Sequence, residues 1–89
     1  MQLDGFAADI LYRCRWAQQH NDGHPLPAWS TGEQLAAALV LRDWTHLEEM
    51  GFTVQQAVQR VHDGVASPPP DLGTWLDGIR AELIGGESE

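Results

Sequence analysis

Near neutral pH, four histidines and a single cysteine are the side chains of this 89-residue chain best able to move a proton or bind a metal. Asp43-x-x-His46 sets two possible ligands one helical turn apart, and His62-Asp63 follows on the next helical segment. Di-metal carboxylate bundles take a Glu-x-x-His motif from each of two helices and add further glutamates. Here the motif occurs once, with Asp in place of Glu, and helical spacing turns His46 to the polar side. A solvated His46 and a paired Asp43 is the simpler reading, so no metal and no cofactor is expected. His20 and His24 are also four apart, but Gly23 and Pro25 break any helix between them and leave loop histidines.

Nucleophilic chemistry is no better supplied. Arg13 and Arg15 flank Cys14 and would lower its pKa if it were exposed. Its place on an apolar helical stripe makes it a small hydrophobe instead. The chain has no G-x-S-x-G and no Gly-rich phosphate loop, so we expect no enzyme. Gly51-Phe52-Thr53 joins two helical segments in the outline of a helix-turn-helix, and Gln55, Gln56, Gln59 and Arg60 suit base edges. The charge has the wrong sign. Thirteen acidic residues stand against five arginines and no lysine, a net charge of −8. Nucleic-acid affinity comes largely from cations neutralising phosphates, so direct binding is not expected. Such a surface suits water or a basic partner.

Aromatic residues are the remaining lead. Tyr12 and Trp16 lie one turn apart on the side of the first helix away from its apolar stripe, and Trp29 sits in a Pro-bounded loop. Tyr and Trp are enriched where proteins touch. Either the three pack beneath the loop from His24 to Trp29, or they form a patch for a partner. Tyr12, Trp16 and Trp29 are therefore the candidate partner-binding residues. Trp44 and Trp75 fall on apolar stripes and are expected in the core.

These side chains must be positioned by helices. From Asp4, a plausible N-cap, to about Gln19, the residues Leu3, Phe6, Ile10, Cys14 and Ala17 share one side; Asn21-Asp22-Gly23 ends that helix. Ser30 to Phe52 reads as one long helix, about 31–50. It opens with a Ser30/Glu33 capping box and contains seven consecutive apolar residues, Leu35 to Leu41. Val40, Trp44, Leu47 and Met50 form its later buried edge, with Asp43 projecting inside that edge. Gly51 stops the helix in the left-handed conformation, and Phe52 folds back on Leu47. Thr53 and Gln56 form a second capping box before the stripe Val54, Ala57, Val58, Val61 and Val65. The prolines in Ser67–Pro70 act as a stiff spacer. Asp71 opens a last helix with Leu72, Trp75, Leu76, Ile79 and Leu83 on one side.

A helix that is apolar on every side must be covered on every side. The fold expected is thus all-α: a single four-helix domain, 1–84, packed around the central helix, with a flexible acidic tail at 85–89. One cysteine excludes an intramolecular disulfide. No run approaches the roughly 18 apolar residues of a membrane span, and the start lacks the basic residues of a signal peptide, so a cytoplasmic protein is expected.

Two resemblances add context. Leu47-Glu48-Glu49-Met50-Gly51-Phe52, followed by Ala57 and Val61, resembles the Met-Gly-Phe loop of ubiquitin-associated domains, compact three-helix modules that bind ubiquitin through that loop and their last helix. Trp29 to Leu41, taken with Leu47, Gly51-Phe52-Thr53 and Ala57, resembles small uncharacterised proteins of actinobacteria and their phages. That likeness implies a small cytoplasmic accessory protein that acts on a host protein and carries no catalytic residues across. The function expected is protein–protein contact, self-association included. The alternative is an acidic nucleic-acid mimic that blocks a DNA- or RNA-binding protein; a ubiquitin-associated-like module or a small metal-binding bundle comes third.

Overall fold

The computed structural model describes residues 5–64 and 71–85, and these form five α-helices with no strand among them. They are α1 (Gly5–His20), α2 (Thr31–Leu41), α3 (Trp44–Met50), α4 (Val54–Gly64) and α5 (Leu72–Gly85). The all-α class is as the sequence implies. Leu3, Asp4, Val65, the Ser67–Pro70 prolines and positions 86–89 of the acidic tail lie outside the described residues.

α2 is the core. Ser30 takes an extended conformation, its hydroxyl accepts the Glu33 N–H at 3.2 Å, and the Glu33 carboxylate accepts the Ser30 N–H at 3.0 Å. Two of the free donors at the helix start are thereby satisfied. From Gln34 to Val40 every residue is buried, and none between Leu35 and Val40 is more than 3% exposed. α1, α3, α4 and α5 all pack on it. Each contributes one stripe: Ala7, Ile10, Cys14 and Ala17 from α1, Leu47 from α3, Ala57 and Val61 from α4, and Leu72, Leu76, Ile79 and Leu83 from α5.

The helix expected over 31–50 is not continuous. Arg42 adopts the left-handed conformation, φ 57° and ψ 39°, and α2 ends there. The Arg42 N–H donates to the carbonyls of Ala38 and Leu39, and the Asp43 N–H reaches Ala38 O at 2.9 Å. Arg80 of α5 closes the end from outside. Its Nε donates to Val40 O at 2.9 Å and its Nη2 to Leu39 O at 2.8 Å, while Asp77 holds Nη1 at 2.6 Å. A left-handed arginine costs about 1–2 kcal/mol, and these charge-assisted bonds to otherwise buried carbonyls offset it. Asp43 then restarts the chain as N-cap of α3, accepting the His46 N–H at 3.2 Å.

The break rephases the next segment of chain. Trp44, expected on the buried edge, becomes the first residue of α3 and is 46% exposed. Leu47 stays buried and Met50 half-buried. Gly51, at φ 83°, stops α3 as expected, with the Phe52 N–H returning to Leu47 O at 2.9 Å. The Thr53/Gln56 box forms in both directions, at 3.1 and 2.9 Å. Val54, at the near end of the α4 stripe, lies at the surface. Trp75 packs on the core from its margin and stacks on Phe6, with ring centroids 5.7 Å apart.

Candidate functional site

On α1 the buried positions 7, 10, 14 and 17 point one way, which turns position 12 the opposite way at 100° per residue. Tyr12 is accordingly 68% exposed. Trp16 is half-buried: its ring lies against His20, with centroids 5.1 Å apart, and meets Trp29 edge-on at 6.2 Å. The Arg13 guanidinium sits 5.2 Å from the centre of the Trp29 ring and is held there by Asp9 at 2.8 Å and Glu33 at 2.9 Å. Of the three candidate aromatics, Trp16 and Trp29 therefore meet each other under the loop. Tyr12 stands alongside them in solvent, one turn away.

A second cluster gathers at the α2–α3 break. Gln34 is buried on α2, and its Nε2 donates to the carbonyls of Trp29 at 2.9 Å and Pro27 at 3.3 Å. With both amide protons given to carbonyls, Gln34 Oε1 must accept, and it faces His46 Nε2 at 3.0 Å. That nitrogen therefore carries the proton. His46, read from its spacing as solvated, is instead half-buried and bonded to the core.

Asp43 is paired, as expected, and its partner is His24. His24 Nδ1 lies 2.6 Å from Asp43 Oδ2, with the Asp43 side chain only 8% exposed and that of His24 57% exposed. The other Asp43 oxygen caps α3, so the carboxylate accepts on both sides and His24 Nδ1 must donate. The hydrogen bond to Asp43 raises the His24 pKa above 6.5, the Asp43 charge adds to it, slight desolvation opposes it, and the charges of Asp22 and Glu49 reinforce it. Together Asn21, His24, Pro25, Asp43, His46 and Glu49 line an open depression of about 390 Å³. His24 is a histidine with a carboxylate behind it and a free face outward. Such a pair binds a proton well; catalysis would also need a nucleophile and oxyanion donors converging on one point.

Sequence reasoning did not assemble this cluster. The available signal was Asp43 itself, a carboxylate aimed inside an apolar edge, which must find a donor.

Cys14 is buried, its Sγ 3.9 Å from Ala37 O, and burial pushes its thiol up to about 12 against a smaller opposing effect of the Arg80 charge. The flanking arginines serve other groups, Arg13 at Asp9 and Glu33, and Arg15 at Glu82 O, 3.3 Å away. Of the residues suited to base edges, Gln56 closes the α4 cap and Gln59 donates to Asp63 at 2.8 Å. Among the described residues no three His, Cys, Asp or Glu side chains converge as a metal site, and no helix is long and apolar enough to cross a membrane. No protein-family model, curated protein or solved structure matches the chain.

Proposed function

We propose that this protein works by protein–protein contact, with the outer face of α1 as the contact surface. Tyr12 is the anchor and the Trp16–Trp29 pair its backing. The observation that carries this reading is the 68% exposure of Tyr12 beside two tryptophans that are themselves fixed by neighbours. A rigid aromatic patch loses little side-chain entropy when a partner covers it. The partner is expected to be basic. Arg13, Arg15 and Arg80 are engaged inside the fold, so the surface is poorer in cations than five arginines would suggest. A small accessory protein of a phage or mobile element, acting in the cytoplasm on a host protein, fits this character.

Capture from the native cytoplasm with wild type and Tyr12→Ala in parallel tests the reading. The same partner should be retained by wild type and lost by the variant, while the two melt together. A partner held equally by both would refute it. The engaged arginines also favour a second reading, an acidic mimic that occupies a nucleic-acid-binding protein. Its binding would fall steeply with added salt and ignore Tyr12.

A further inference from the structure

We propose that the loop of residues 21–30 is a proton-operated clasp: His24 as a cation grips Asp43 and holds the loop closed with Trp29 against Trp16, and loss of that proton loosens it. The consequence for binding rests on the aromatic face being the contact surface; the clasp itself does not.

The geometry is a chain of contacts between one loop and one helix junction. At its near end His24 meets Asp43 at 2.6 Å. At its far end the Pro27 and Trp29 carbonyls hold Gln34, which is oriented by His46. The Trp29 N–H is tied inside the loop to Leu26 O at 3.1 Å. Trp29, whose ring meets Trp16, thus belongs to the same tethered loop. Both anchoring side chains, Asp43 and Gln34, are nearly buried, so the loop supplies the parts that can leave.

The charge around His24 has one sign. Asp43 faces it from the N-cap of α3, Glu49 from the last turn of α3, and Asp22 from the loop itself. His46 lines the same depression, while Asn21 and Gln34 contribute dipoles only. Three carboxylates favour the imidazolium in the closed loop, and an opened loop returns His24 to an ordinary value of about 6.5. The closed form is therefore favoured below that value and loses its advantage as pH rises through the higher, closed-loop pKa. A neutral His24 keeps the Nδ1–H bond but not the ion pair, which loosens the loop without unfolding the helices.

The test uses the full chain in wild-type, Asp43→Asn and His24→Gln forms, from about pH 5.5 to 8.5. His24 titration is followed by NMR, together with hydrogen-exchange protection of the Trp29 amide relative to its intrinsic rate. In wild type the protection should fall as His24 deprotonates, by the factor separating its closed and open acidity constants. Asparagine still caps a helix, so Asp43→Asn keeps α3 while removing the charge. Both variants should show weaker Trp29 protection that no longer follows pH. Should Asp43→Asn disturb the fold, His24→Gln at its exposed position carries the test. Wild-type protection that stays flat while His24 titrates, or an equal fall in both variants, would overturn the clasp. Loss of the proposed partner contact with the clasp intact would count against the aromatic surface alone.

Discussion

Cys14 shows how position overrides neighbours in sequence. Two adjacent arginines suggest an activated thiol, yet its side chain faces Ala37 in the core, and desolvation outweighs the nearby positive charge. In native protein it should react with a thiol reagent no faster than the chain opens, and at an ordinary rate in denaturant. Rapid native labelling would contradict its placement. Arg80 is the converse case, a surface-type residue that the fold depends on. It donates to two carbonyls at the end of α2: that of Val40, and that of Leu39, which otherwise has only the long bond from the Arg42 N–H at 3.3 Å. Arg80→Ala should lower stability by about 2–4 kcal/mol in a denaturant titration, with Arg80→Lys recovering only part because a single ammonium cannot span both oxygens. A loss under about 0.5 kcal/mol would show that water replaces it.

At the scale of elements, the local signals were legible and the non-local ones were not. The Ser30/Glu33 and Thr53/Gln56 boxes and the Gly51 stop each depend on side chains within a few residues, and each forms as the sequence implies. The break at Arg42-Asp43 carries no glycine or proline to announce it. What stabilises it comes from Arg80, forty residues away in sequence from Val40, and from His24, nineteen residues from Asp43. The apolar periodicity therefore ran on through the break and put Trp44 in the core. The same non-locality hid the His24–Asp43–His46–Gln34 cluster, whose members come from a loop and two helices. Because Arg42 is left-handed and exposed, Arg42→Gly removes a steric penalty. It should raise stability by about 0.5–1 kcal/mol after the extra chain entropy of glycine is counted. A destabilised Arg42→Gly would mean that the arginine side chain has a role in the turn.

At the scale of the molecule, the Gln34–Val40 stretch of α2 is buried within a single chain, because four helices cover it. Its three consecutive alanines, Ala36 to Ala38, are fully buried and let the covering helices approach closely. Ala37→Leu should cost about 1–3 kcal/mol through overpacking. Since no second copy is needed to cover the core, the melting midpoint should not change with protein concentration. A midpoint that climbs with concentration would show that folding is coupled to assembly. The surface left over is acidic and mostly polar, and the outer face of α1 is where an aromatic anchor and its fixed backing coincide. Contact there is the role we propose for the chain.

The sharpest test of that role places a photoreactive side chain at position 12 and, in a separate sample, at exposed Gln55 on α4, then irradiates each with native cytoplasm. An adduct of one defined partner from position 12 and none from position 55 is the predicted result. Adduct formation at position 55 alone, or equally at both, would contradict the assignment of the binding face to α1.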